Sequence, residues 1–137
     1  MKWILRGLVL VLAAGLLWWG IEMLAAESGE VVVVTTYDAS GEPRETRLWV
    51  VDHEGRAWLR SGSDLATWFQ RLSANPDVMV ERNGVVVTYR AVPRIDAREE
   101  VNARMLEKYG WADRWIGFWF DRSDAIPIRL DPGAPPH

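Results

Sequence analysis

The sequence predicts an α+β fold: a small antiparallel β-barrel of about six strands with flanking helices, preceded by one N-terminal transmembrane helix. A long apolar run opens the chain, short β-branched segments bounded by turn residues follow it, and helix-like apolar spacings separate those segments. The predicted order is three strands, a helix, two strands, two helices and a strand. This order has too few β-α-β units for a parallel sheet and suits an antiparallel barrel.

The N-terminal segment is long and apolar enough to cross a bilayer. From Gly7 to Ala26 it contains 20 residues with a single charge, Glu22. A helix of that length covers a hydrocarbon core of roughly 30 Å. We therefore expect residues 1–28 to be a transmembrane anchor. The pattern leaves open a secretory signal that is cleaved.

The charges that flank the apolar run predict its orientation. Lys2 and Arg6 precede it, and no basic residue follows it before Arg44. Because basic residues are retained on the cytoplasmic side, we expect a single-pass protein with a cytoplasmic N-terminus and an extracytoplasmic C-terminal domain. Membrane lipid is then a partner through this helix.

Composition limits what the remaining residues do. Residues 29–132 suffice for one domain, and residues 133–137 form a Pro-containing tail that we expect to be disordered. The chain has 16 basic and 19 acidic residues without a basic cluster, so nucleic acid is not an expected partner. It has no cysteine and two histidines, His53 and His137, so we expect neither a metal site nor a catalytic triad.

The strand predictions rest on β-branched runs and turn residues. The predicted strands are residues 31–36, 45–51, 56–60, 77–82, 85–90 and 125–130. Asn83-Gly84 between the fourth and fifth predicts a tight hairpin, because a type I′ turn requires φ > 0 at both positions. Pro127 predicts that the last strand lies at an edge or contains a bulge, since proline cannot donate to a ladder.

Two helices are predicted between and after these strands. Leu65, Trp68, Phe69 and Leu72 form one apolar stripe, with Ser63 or Asp64 as the cap. A second helix, with a capping-box pattern at Asp96 and Glu99 and a stop at Gly110, buries one apolar face. That face contains Val101, Met105 and Tyr109.

A short third helix carries an aromatic stripe. It consists of Trp111, Trp115, Phe118 and Trp119, at helical spacing. We expect the tryptophans of this stripe, Trp111, Trp115 and Trp119, to belong to the core. The alternative is a membrane-interface helix beside the anchor, because tryptophan favours the depth of the lipid headgroups.

Several strings resemble one known family. They are Ser40-Gly41 before Arg44-Glu-Thr46 and Leu48, Leu59-Arg-Ser-Gly62, the segment 66–78 (ATWFQRLSANPDV), and Arg122 with Ile126-Pro-Ile and Leu130-Asp-Pro132. Over most of residues 31–132 the chain resembles a divergent member of the deazaflavin-dependent nitroreductases, relatives of the flavin-binding split β-barrels of the pyridoxamine-phosphate-oxidase type. The resemblance implies a split β-barrel that binds a deazaflavin coenzyme or FMN and often pairs as a homodimer.

The resemblance also implies a site. A phosphate-bearing cofactor needs guanidinium groups, hydroxyls and backbone N–H groups that converge, and the hard chemistry belongs to the cofactor. We therefore expect no catalytic side chain. The expected cofactor-binding residues are Arg44, Thr46, Arg47, Arg60, Ser61, Gly62, Ser63 and Trp68, and the expected substrate-binding residues are Tyr109 and Trp111.

Two functions follow from this pattern. The first is a membrane-anchored oxidoreductase of the nitroreductase or quinone reductase type. The second is a non-catalytic split barrel that has lost the cofactor and binds a ligand or partner at the membrane. The second is favoured by Asp38 and Ala39, which stand where the family has basic residues, and by the short 61–64 loop.

Overall fold

The computed structural model describes residues 1–27, 29–119 and 121–133, and residues 22–27 by their backbone alone. The helices and strands are α1 (Lys2–Glu27), β1 (Val31–Tyr37), β2 (Pro43–Trp49), β3 (Val51–His53), β4 (Arg56–Ser61), α2 (Thr67–Ala74), β5 (Asp77–Arg82), β6 (Val85–Pro93), α3 (Arg98–Tyr109), α4 (Trp111–Trp119) and β7 (Ile126–Pro132). Two short 3₁₀ turns, Ile95–Ala97 and Arg122–Asp124, precede α3 and β7.

One antiparallel sheet forms a curled half-barrel, the split-barrel fold of the pyridoxamine-phosphate-oxidase type. Its seven strands lie in the order β2-β1-β5-β6-β7-β4-β3, one strand more than expected. The difference arises at Val50, where the segment expected as one strand bends and divides into β2 and β3. Because β2 and β3 are the two edges of the sheet, this bend ties the edges together.

The bend at Val50 is held by side chains of α3. The Val50 N–H donates to the Tyr109 hydroxyl at 3.0 Å, and the Val50 carbonyl accepts from Lys108 Nζ at 2.7 Å. The hydroxyl proton of Tyr109 is then free to be donated to the Glu30 carbonyl oxygen, 2.6 Å away. Both Val50 backbone groups are thus satisfied although Val50 is fully buried between strands.

The sheet has apolar residues on both faces. Inside the curl, Val32 and Val34 of β1 pack with Leu59, Ile128 and the α2 residues Trp68 and Leu72. On the other face, a smaller cluster joins the sheet to α3 as predicted for the second helix: Val51, Trp58, Val101, Met105 and Tyr109. The barrel is therefore filled by α2 from inside and covered by α3 from outside.

The hairpin prediction is confirmed. Asn83 and Gly84 join β5 to β6 with φ angles of 53° and 78°. Both values are positive, as a type I′ turn requires.

Both helices begin later than predicted, the first by two or three residues and the second by one residue. The first helix begins at Thr67, because the Ser63 hydroxyl accepts from the Leu65 N–H in the preceding turn and Leu65 is exposed. The second begins at Arg98, after a 3₁₀ turn. Asp96 does not cap it, since the Arg94 guanidinium holds both Asp96 oxygens at 2.9 and 2.7 Å. In each case a local turn uses the polar group that would have capped the helix.

The prediction for Pro127 is correct only locally. β7 is an interior strand between β6 and β4. Its pairing with β6 ends at Ile128, so Pro127 has a ladder partner, Arg60, on one side alone. Of the predicted tail 133–137, Gly133 donates to the Thr88 carbonyl at 3.2 Å, and the rest lies outside the described residues.

Candidate functional site

The register of β2 decides which predicted site residues share a face. Arg44 and Thr46 lie opposite Thr36 and Val34 of β1, whose side chains are buried inside the curl. Residues directly opposite one another in an antiparallel pair point to the same side. Arg44 and Thr46 therefore belong to the inner face at the β2 edge, and Arg47 belongs to the outer face.

A second guanidinium lies beside this inner face. Arg71 of α2 donates from Nε to the Thr36 hydroxyl at 2.8 Å, and that hydroxyl lies 3.5 Å from the Arg44 carbonyl oxygen. Within the described part of the chain, Arg71 forms no ion pair. Arg71 was not among the predicted cofactor-binding residues. Its position one turn after Trp68, in the most specific of the family-like strings, was the available signal.

Asp38 brings a negative charge close to Arg44. One Asp38 oxygen accepts from the Ser40 hydroxyl at 2.6 Å and from the Ser40 and Glu42 N–H groups at 3.0 Å. The Ser40 hydroxyl bond, followed by the Glu42 N–H, lowers the pKa of Asp38 to about 2. The other oxygen lies 3.4 Å from Arg44 Nε, so a permanent negative charge stands beside Arg44.

Polar groups of the loop between β4 and α2 form hydrogen bonds within the loop. Ser61 is fully buried, and its hydroxyl donates to the Ser63 carbonyl at 2.7 Å. Gly62 is exposed, with open space where a side chain would stand. Trp68 is buried in the core beside Leu72. Of these four residues, Gly62 is therefore the one whose backbone is open to a ligand.

Arg60 lies on the other face of the sheet. The Arg60 side chain is 8% exposed, and its guanidinium donates to Asn102 Oδ1 at 3.2 Å and to Asp113 Oδ1 at 2.6 Å. Arg122 reaches the same Asp113 oxygen at 2.6 Å. Burial, and then the nearby Arg60 charge, lowers the pKa of Arg122. Arg60 thus joins β4 to α3 and α4 through a buried cluster of two cations and one anion.

The two predicted substrate residues differ in their surroundings. Tyr109 is buried, its ring stacks on Trp49 at 4.3 Å between centroids, and burial raises the pKa of its hydroxyl. Trp111 is exposed at the start of α4. The structure therefore groups Arg44, Thr46 and Trp68 around α2. It places Arg47, Arg60, Tyr109 and Trp111 on the side of α3 and α4.

A polar cavity of about 700 Å³ opens between β3, β4 and α3. The His53 Nε2 lies 2.8 Å from Glu100 and 3.7 Å from Glu54, so these three ligand-type side chains are close enough to share an ion. Both carboxylates are exposed, and the arginines Arg94 and Arg129 are paired with neighbouring aspartates. This arrangement does not test the expectation that the protein has no metal.

The apolar N-terminal helix has the properties expected of a membrane span. In α1, the stretch Lys2–Ile21 contains 20 residues and is apolar enough to cross a bilayer, and it is not buried against the rest of the described chain. A secretory signal has the same properties.

Solved structures define the class of protein as a split barrel. The chain is similar to an F420-H2 dependent reductase (24% identity, 73% of this chain, 93% of that chain, TM-score 0.58). It is also similar to HutZ, the heme storage protein of Vibrio cholerae (18%, 80% and 86%, 0.61). A third is a putative pyridoxamine 5'-phosphate oxidase of Listeria innocua (16%, 82% and 90%, 0.57). At these identities the likeness concerns the fold alone.

The family is defined by sequence. Residues 22–130 match the F420H(2)-dependent quinone reductase family, and the chain belongs to it. This confirms the resemblance to deazaflavin-dependent reductases, and the family is one of deazaflavin-dependent oxidoreductases that act on quinones. No curated protein sequence matches the chain.

Proposed function

We propose that this chain is a membrane-anchored reductase that uses F420H2 to reduce a lipophilic quinone-like or nitro acceptor. The observation that carries the proposal is the pair of guanidinium groups on the inner side of β2. Arg71 is bonded to Thr36, and Arg44 lies opposite Thr36 on the neighbouring strand. The family membership of residues 22–130 supports a deazaflavin as the cofactor.

The inner-face residues fit a phosphate-bearing cofactor. Arg44 and Arg71 supply forked N–H donors, Thr46 supplies a hydroxyl, and Gly62 lets a ligand approach the backbone. Trp68 fixes the helix that carries Arg71 by packing in the core. When bound, the reduced deazaflavin supplies the hydride, so the protein contributes binding and orientation.

Two of the predicted site residues on the opposite face, Arg60 and Tyr109, act by positioning α3 and α4. Arg60, through Asp113, holds the N-terminal half of α4 against the sheet. Tyr109 fixes the end of α3 that leads into α4. Trp111, exposed on α4, is the residue of the predicted substrate set that is open to an acceptor.

Membrane anchoring suits a lipophilic acceptor. We propose that α1 remains attached, with Lys2 and Arg6 on the cytoplasmic side and the domain on the other. A quinone dissolved in the bilayer is then concentrated near the domain. The experiment for this part is gel mobility of the mature protein from membranes, where retention of residues 1–28 contradicts a cleaved signal.

The test of the cofactor is a fluorescence titration of the full-length protein in detergent micelles with F420 and, separately, with FMN. We expect saturable binding of F420, followed by anaerobic oxidation of F420H2 when a short-chain quinone is added. Arg71→Gln should weaken F420 binding, and Arg104→Gln, a change at an exposed arginine on α3, should not. Equal affinities of the two variants would contradict the proposed site.

One observation favours the second candidate function, a non-catalytic split barrel. Asp38 remains ionised and lies 3.4 Å from Arg44, so it competes with an anionic ligand for that guanidinium. A folded protein that binds neither F420 nor FMN in the same titration would contradict the first function and favour the second. Light scattering of the sample would at the same time determine whether the protein is a homodimer.

A further inference from the structure

The polarity of α4 is inverted relative to a helix that packs on a soluble core. Its residues Ala112 and Asp113 are buried against the domain. Its aromatic side chains face away: Trp111, Phe118 and Trp119 are 54%, 79% and 51% exposed. The expectation that Trp111 and Trp119 belong to the core is therefore wrong, whereas Trp115 is half-buried. The physical reason is that Asp113 is drawn inward by Arg60 and Arg122, which turns the opposite, apolar face of the helix outward.

The exposed face of α4 continues into the apolar surface of α1. The Trp18 ring lies 5.2 Å from Trp115 and 5.4 Å from Trp119, between centroids. Trp18 is near the end of the stretch that is long enough to span a bilayer. The rings of α1 and α4 border one open cavity of about 560 Å³, which Arg114 also lines. Any bilayer that contains α1 therefore reaches α4.

The chemistry of this surface matches the boundary between headgroups and acyl chains. Tryptophan rings accumulate at that depth, and Phe118 adds an apolar side chain that inserts further. Arg114 is exposed beside the rings, and its long side chain reaches lipid phosphates. The Trp115 indole nitrogen is buried and has no hydrogen-bond partner within the described residues, so it contributes no polar bond between α4 and α1.

We propose that α4 is a second membrane contact, seated in the lipid interface with Trp111, Phe118 and Trp119 toward the acyl chains and Arg114 toward the phosphates. The partner is the bilayer surface itself. The inference rests on the proposed retention of α1, but it does not depend on the cofactor or the acceptor. With two points of contact, the domain is held at a fixed tilt to the membrane and does not rotate freely about α1.

The absence of cysteine from the chain allows a site-specific test. Full-length Phe118→Cys is labelled with an environment-sensitive fluorophore and reconstituted in vesicles of phosphatidylcholine and phosphatidylglycerol, with or without phosphatidylcholine brominated in its acyl chains. Ile95→Cys is the matched control. Ile95 is also a large exposed side chain, and it lies outside the aromatic cluster, in the 3₁₀ turn before α3. Leu12→Cys reports the position of α1.

We expect the label at position 118 to be blue-shifted, quenched by brominated lipid and protected from iodide, whereas the label at position 95 behaves as in water. Trp111→Cys, on the same stripe, should repeat the result. A blue-shifted label that brominated lipid does not quench would show that a second copy of the chain covers α4, and would overturn the proposal. A label at 118 open to iodide would overturn it as well.

The label at position 12 separates the failure of this inference from the failure of the anchor. Quenching by brominated lipid at position 12 without quenching at position 118 would retain the anchor and refute the contact of α4. Absence of lipid quenching at position 12 would refute the anchor, and with it the contact.

Discussion

Tyr109, which is predicted to border the substrate, also forms contacts that stabilise the fold. Its hydroxyl accepts from the Val50 N–H and donates to the Glu30 carbonyl, and its ring lies against Trp49. It also packs so closely on Gly29 that an added Cβ there would lie 2.9 Å from the ring. The single hydroxyl therefore joins the end of α3, the start of β1 and the bend between β2 and β3.

We expect Tyr109→Phe to lower the free energy of unfolding by about 1–3 kcal/mol, because it leaves the buried Val50 N–H without its acceptor. Urea denaturation followed by circular dichroism measures the change. Tyr89→Phe is the matched control, because it removes the same hydroxyl from a tyrosine that packs against the inner core, away from the bend at Val50. Equal losses for the two variants would mean that the hydroxyl of Tyr109 is not what holds Val50.

Arg44 is a second single side chain whose role can be measured. Arg44→Ala should weaken F420 binding by about 1.5–3 kcal/mol, the range for a hydrogen bond to a charged partner. Asp38→Asn, which removes the charge 3.4 Å from Arg44, should strengthen it. Isothermal titration of the three proteins gives both values. A loss of affinity in Asp38→Asn would contradict the proposed competition between Asp38 and the cofactor.

Among the elements, α2 is held by one large side chain. Trp68 is buried with Leu72 among the valines of β1 and β5. Trp68→Ala should destabilise the domain by about 3–5 kcal/mol, with or without cofactor. Phe118→Ala, which removes a ring that is 79% exposed, should cost far less in detergent. Thermal unfolding compares the two, and a similar loss in both would show that Trp68 does not anchor α2.

The strands are tied by a charge network at the opposite end of the barrel from Arg44. Arg82 of β5 donates to Glu30 before β1, at 3.0 and 2.9 Å, and to Asp52 of β3, at 2.8 and 2.7 Å. The bonds from Arg82 lower the pKa of both carboxyls from their ordinary values of 4.5 and 3.8, and Lys108 adds to the effect on Glu30. Three strands that are distant in the sequence thus share one guanidinium.

This network predicts the acid sensitivity of the fold. Carboxyls with a lowered pKa in the folded state contribute stability that is present above their ordinary values and is lost as the pH falls through the folded pKa values. We expect the free energy of unfolding to fall below about pH 4.5, and to fall less steeply in Arg82→Gln. Arg104→Gln, at the exposed pair with Glu107, should retain the wild-type slope. An unchanged slope in Arg82→Gln would refute the role of this network.

For the whole molecule, the proposed orientation in the membrane depends on two side chains. Replacing Lys2 and Arg6 by glutamine removes the basic residues before the span. We expect a larger fraction of molecules to have the C-terminus in the cytoplasm, because in the proposed orientation those residues retain the N-terminus there. A topology reporter fused to the C-terminus measures the fraction. The same reading in wild type and variant would show that other features set the orientation.

The fold was predictable because its signals are local or periodic. The run in α1, the Asn83-Gly84 turn and the stripe Val101, Met105 and Tyr109 each specify their own element. The face of the sheet on which each predicted site residue lies was less predictable. Arg44 and Arg60 look alike in the sequence, yet pairing with β1 turns one inward, and Asp113 draws the other under α4. Such choices depend on the register and on partners far along the chain.

The bend at Val50 has a consequence for how this chain tolerates changes in length. Because Val50 alone separates β2 from β3, an insertion of one residue there would reverse the alternation of β3. Val51 would then turn to solvent and Asp52 toward the cluster with Met105. The loop between β1 and β2, closed by Asp38, carries no such constraint. Relatives of this protein should therefore vary in length at the Asp38 loop and keep their spacing at the bend.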